Sequence, residues 1–274
     1  MKNIREPLVA GTFYPDNENE LLIMLENQSL KVTNSFVNPN ILGIISPHAG
    51  YVFSLKTAME GFATLKNKKF KHVIIIAPSH HYNNFKFSVG NFDFYKTPLG
   101  LVKVNSEFVS SLLEFPGIIF YPNAHLSEHS IEVQLPILQY YFPEVDIIPI
   151  ILGEQTLRNS KELSEILEKV FKDVWDETVI VVSSDLSHYH DFEKAKKMDN
   201  LLMGYVSNLD AKNLNESVLD NKTEACGIGG IFTLLELAGK INYDKILHLR
   251  YSNSGETYGD FNKVVGYLSS VIYK

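Results

Sequence analysis

Three histidine-bearing segments and one cysteine carry the chemistry that this sequence can do. They are Pro47-His48-Ala49-Gly50, Ala77-Pro78-Ser79-His80-His81 and Ser183-Ser184-Asp185-Leu186-Ser187-His188, with Glu224-Ala225-Cys226-Gly227 holding the only cysteine. Imidazole, thiolate and carboxylate are metal ligands and acid/base groups. Two histidines with a thiolate make a borderline-soft donor set that suits iron, copper or zinc better than magnesium or calcium. Three protein donors also leave coordination positions open, as a catalytic metal requires.

Each segment adds a local argument. Gly50 permits a tight turn that presents His48. His80 and His81 are adjacent in an extended stretch and point to opposite sides, so one of them reaches a shared site and spacing does not say which. Asp185 and His188 are three apart and share the first turn of a helix if Asp185 caps one. His188 is then a proton-transfer group tuned by Asp185. Glu128 and His129 stand just before a helix opening at Ser130, where groups that orient metal-bound histidines often lie. Cys226 lies on a glycine-flanked loop before a helix, a position that favours thiolate.

The elements that must position these groups are legible as runs. Apolar, β-branched stretches precede three of the four segments: Leu42 to Ile45, Val73 to Ile76 and Val179 to Val182. They read as buried strands, and ligands in open α/β sheets bind beyond the carboxyl ends of strands. The second of these strands spans 72–77, further strands are expected at 145–152, 245–251 and 264–272, and an alternating hairpin or edge strand is expected at 85–94, followed by a turn at 95–100. Helices are expected at 19–27, 53–65, 106–113 with Ser106 as N-cap, 130–141, 160–171, 193–207 and 229–238. Pro136 gives the 130–141 helix a late start or a kink. Alternating strands and helices argue an α/β layered domain.

Composition bounds the function. Apolar residues make up 45% and charged residues 21% of 274, as in an ordinary globular protein, and the formal net charge is -7. With no basic tract, nucleic-acid binding by phosphate neutralisation is disfavoured. A lone cysteine makes no internal disulfide and favours a reducing compartment. No stretch approaches the roughly 20 apolar residues of a membrane span. A cytoplasmic protein is expected, with neither a nucleic-acid nor a membrane partner.

These motifs, together with Gly11-Thr12-Phe13-Tyr14-Pro15 and Glu128-His129-Ser130-Ile131-Glu132, span nearly the whole chain. In this combination the sequence resembles the Memo family, which is similar in fold to class III extradiol ring-cleaving dioxygenases of the LigB type. The resemblance implies one α/β domain over residues 1–274, a layered sheet with flanking helices and a pocket at one sheet edge. It implies metal ligation by His48, His80 and Cys226, so that His80 rather than His81 is the ligand of that pair. Asp185 and His188 are then the catalytic candidates, and His81, Glu128 and His129 the residues around the ligands. The related dioxygenases hold non-haem Fe(II) with two histidines and a glutamate. Here Cys226 stands at the carboxylate position, and a thiolate changes iron electronics and is itself oxidisable. Family members are linked to iron or copper redox chemistry, and animal members to phosphopeptide binding.

Four functions compete on these residues. The leading one is an iron- or copper-dependent oxidoreductase acting on a small-molecule substrate. A zinc hydrolase uses the same ligands, with zinc lowering the pKa of bound water. Nucleophilic chemistry at Cys226 needs no metal. A non-catalytic module presents the same pocket to a peptide.

Overall fold

The computed structural model describes residues 2–274. Twelve strands run along the described chain: β1 (Ile4–Arg5), β2 (Ile41–Ser46), β3 (His72–Pro78), β4 (Phe87–Val89), β5 (Phe94–Thr97), β6 (Gly100–Lys103), β7 (Ile118–Ile119), β8 (Asp146–Leu152), β9 (Thr178–Ser183), β10 (His188–His190), β11 (Lys245–Asn253) and β12 (Val264–Tyr273). The main sheet has the order β10-β12-β2-β9-β3-β8-β4-β7, with β11 also pairing β12. Its centre, β2-β9-β3-β8, is parallel, and antiparallel strands close both flanks. β1, β5 and β6 form a small separate sheet.

The central strands are apolar on both faces because helices cover both. Ile44, Ile45, Ile74, Ile75, Ile76, Val181 and Val182 are fully buried. Such continuous β-branched runs are what a doubly covered parallel sheet demands. The helices Tyr51–Thr64 and Ile228–Lys240 both pack on it. The α/β layered architecture read from the sequence is therefore the fold of the chain.

Three local readings need correction. The 85–94 stretch is not one hairpin. β4 joins the main sheet beside β8, while β5 enters the small sheet and pairs with β6 across a turn at Pro98-Leu99. The cap of the helix Ser106–Leu113 is Asn105, which accepts the Phe108 N–H at 3.1 Å. The 130–141 helix has the late start expected from Pro136: a 3₁₀ turn at Glu132–Gln134 precedes the α-helix Leu135–Tyr141. Pro136 sits in that helix's first turn, where a missing N–H costs nothing. Asp185 caps no helix: residues 184–187 run as a loop into β10.

The consequence for chemistry is positional. β2, β3 and β9 are parallel neighbours, so their carboxyl ends lie along one edge. Their last residues, Ser46, Pro78 and Ser183, lead directly into His48, His80 and Asp185.

Candidate metal centre

His48, His80 and His129 converge beyond that edge. Each offers a ring nitrogen, and the three nitrogens all lie within 4.8 Å of one another. The His80 and His129 rings stack, with centroids 4.9 Å apart and planes 20° from parallel. The His48 ring stands nearly perpendicular to both, at 5.3 and 5.5 Å. His48 is buried, His129 half-buried, and His80 sits toward solvent with its side chain 32% exposed.

The hydrogen bonds fix which nitrogen of His48 is free. Ser183 Oγ donates its single proton to Ser130 O at 2.7 Å and accepts from Gln134 Nε2 at 2.9 Å. Its contact with His48 Nδ1 at 2.9 Å is therefore one in which Nδ1–H donates. That leaves a lone pair on His48 Nε2. Cys226 Sγ lies 3.2 Å from this nitrogen, so the thiol donates to it. Burial, with smaller contributions from His129 and His80, keeps the His48 pKa well below its ordinary value, and the ring is neutral.

Glu128 performs the equivalent task for the His80 ring and faces that of His129. It is buried, and its Oε1 lies 2.9 Å from His80 Nδ1 and 3.3 Å from His129 Nδ1. The same carboxylate accepts backbone N–H groups from His80, His129 and Ser130 at 2.7–2.9 Å. Desolvation works against its ionisation, but these hydrogen bonds and the neighbouring imidazoles win and hold its pKa well below the carboxylate range. Desolvation also works against charge on His80, yet the Glu128 bond outweighs it and raises that pKa. For His129 desolvation dominates and lowers it.

Asp185 and Cys226 lock the opposite wall. The Asp185 carboxylate accepts the His48 N–H at 2.8 Å. Asp185 N–H donates to Cys226 Sγ at 3.2 Å, and Cys226 N–H donates to Asp185 O at 3.2 Å. Burial pushes the Asp185 carboxyl up to about 7, against the pull of backbone N–H groups and His80. Desolvation and then Asp185 itself push the Cys226 thiol well up. Gly227 permits this approach: a Cβ there would stand 2.4 Å from Ser183 O.

His188 opens β10, and its N–H donates to Glu224 Oε1 at 2.8 Å. Burial lowers the pKa of its imidazole, against a backbone hydrogen bond to Leu186 and the Glu224 charge. His81, next to His80, is exposed.

Three features escaped the sequence reading. Ser183 and Gln134 form the relay that fixes the His48 tautomer, and neither a serine at a strand end nor a glutamine in a helical turn carries a distinguishing signal. Phe13 packs edge-on against the His129 ring at 4.9 Å. A buried ion pair, Arg5–Glu132, ties the N-terminal segment underneath the site. Glu132 also accepts from Leu8 N–H, Val9 N–H and Tyr14 Oη, while Arg5 Nη2 donates to Glu128 O at 2.5 Å. Losing one partner of such a pair strands a buried charge, which costs about 3–5 kcal/mol. Arg5→Met is therefore expected to lower the urea midpoint sharply, and adding Glu132→Gln to recover part of the loss. Equal midpoints for wild type and Arg5→Met would remove this pair from the account.

Among the described residues no helix is long and apolar enough to cross a membrane. The likeness to known proteins extends over the same length as the motifs. A family model described as Memo-like protein matches residues 5–271. A MEMO1 family protein of Thermoplasma volcanium is 36% identical over 98% of this chain and 98% of its own length. Another, from Methanobrevibacter smithii, is 33% identical over 98% and 99%. The crystal structure of an uncharacterized protein from Escherichia coli K12 superposes with a TM-score of 0.51, covering 85% of this chain and 99% of that one. At 14% identity that likeness concerns the fold alone. Family match and near full-length relatives lead to one conclusion: the chain belongs to the Memo-like protein family.

Proposed function

We propose that this protein is a metal-dependent redox protein, with iron or copper held by His48, His80 and Cys226 and a small molecule as substrate. The observation that supports it most is the preparation of His48: neutral, its Nδ1–H committed to Ser183, its Nε2 lone pair facing the Cys226 sulfur. His80 has its Nδ1 similarly committed to Glu128, and metal-binding histidines are characteristically oriented in this way. The donors present thus fit a transition metal. Bound iron or copper supplies the one-electron and dioxygen chemistry that side chains lack.

The residues of the chain supply the rest. Asp185, poised near neutrality and bonded to the His48 backbone, holds or releases a proton beside the thiol. His188, neutral at pH 7 because burial lowers its pKa, accepts one from the substrate side. A zinc hydrolase is the second reading, since the clustered imidazoles are equally good zinc donors.

Reconstitution separates the two. Metal-free protein is loaded anaerobically with Fe(II), Cu(II) or Zn(II), then assayed for oxygen uptake over a panel of catechols and reductants and for hydrolysis of activated esters. Substrate-dependent oxygen uptake by the iron or copper form alone is the expected result. Ester hydrolysis by the zinc form, with iron and copper forms inert, would replace the redox reading.

A further inference from the structure

We infer that His129 is itself a metal ligand, so that the centre draws on three imidazoles as well as the Cys226 thiolate. This rests on the metal-binding reading above and changes its donor set. His129 shares with His80 the Glu128 carboxylate beside its Nδ1 and a stacked ring orientation. Both Nδ1 atoms address the same oxygen, Glu128 Oε1, at 2.9 and 3.3 Å. Because the two rings stack at 20°, sharing that anchor turns both Nε2 atoms the same way. His48 presents its Nε2 from a ring perpendicular to the pair.

The ring nitrogens lie within 4.8 Å of one another. Donors bound at about 2.0–2.1 Å to a single ion stand roughly 3–3.4 Å apart, so movements of about an ångström close the set. An outer residue that merely orients a ligand contacts that ligand by a hydrogen bond. His129 instead stacks face to face on His80 and contributes no hydrogen bond to either neighbouring imidazole. Its ring is held from behind by Phe13, edge-on at 4.9 Å, which fixes its direction as Ser183 fixes that of His48.

Four protein donors have a consequence for metal choice. A tetrahedral ion such as zinc is saturated by three imidazoles and a thiolate, whereas a six-coordinate ion such as iron keeps two positions. The donor set therefore favours the metal that leaves room for substrate and oxidant.

The test uses the whole chain and needs no turnover. Co(II) affinity is measured by competition with a chromophoric chelator, and the donors around Zn(II) are counted by X-ray absorption, for wild type, His80→Phe, His129→Phe and His129→Gln. Phenylalanine preserves the stacked ring, and thermal melts confirm which variants fold. His129→Phe and His129→Gln are expected to weaken Co(II) binding as much as His80→Phe does. That loss should be at least the roughly 10–100-fold caused by removing an orienting partner, with imidazole donors falling from three to two. Wild-type affinity and donor count in a folded His129 variant, alongside metal loss in His80→Phe, would overturn the inference and leave the metal reading intact. A wild-type protein that binds neither ion would overturn both.

Discussion

Replacing His188 by alanine is expected to leave the metal bound and to remove most of the turnover, by about 10²–10⁴-fold, the usual contribution of a positioned acid/base group. His188 begins β10 at the sheet edge, with its backbone held by Glu224. Burial lowers its pKa first, against a hydrogen bond to Leu186 and the Glu224 charge, so the imidazole is neutral and ready to accept a proton. The residue after it, Tyr189, is exposed and has φ of 61°, a backbone region that non-glycine residues rarely adopt. Strain of this kind persists where the surroundings over-determine it, often beside a site. Elemental analysis and oxygen uptake on the same preparation decide the matter. Loss of metal together with activity would make His188 a ligand, and unchanged turnover would remove it from the mechanism.

Glu128→Gln is the second large effect, and it acts on affinity. One buried carboxylate holds His80 and faces His129, and it also accepts three backbone N–H groups. An amide offers a single acceptor oxygen and no charge. The expected loss of metal affinity is about 10–100-fold, as for other groups that orient histidine ligands. A melting curve shows whether the fold survives, and chelator competition reads the affinity. Wild-type affinity in a folded Glu128→Gln protein would mean that the two histidines need no such anchor.

What the sequence revealed follows the range of the interactions involved. β2, β3, β8 and β9 were legible because each is a continuous apolar run, and burial on both faces of a parallel sheet requires that run. The polar residues just after β2, β3 and β9 were legible for the same reason, since strand ends in such sheets face the site. The Asp185–His188 segment misled. Its serine and aspartate imitate a helix cap, which is a local signal, but Leu186 N–H bonds to Gly266 O and Gly266 N–H to Ser187 O. That pairing reaches across about eighty residues and leaves no local trace. The 85–94 stretch failed likewise, because its strands belong to different sheets whose partners lie far along the chain. Asn105 outranked Ser106 as a cap by one position, because its side chain is the one that accepts the Phe108 N–H. Glu128 stood out in sequence as a group beside a histidine, but that one carboxylate addresses two imidazoles depends on the fold bringing residues 80 and 129 together.

The measurement that bears most directly on the account is the metal content of protein purified without oxygen, for wild type and His48→Ala. His48 has its tautomer fixed by Ser183, its ring neutral and its free nitrogen beside Cys226. Iron or copper near one equivalent per chain is expected in the wild type, with its loss in a His48→Ala protein that still melts cooperatively. A wild type free of transition metal, or equal metal in both proteins, would contradict it.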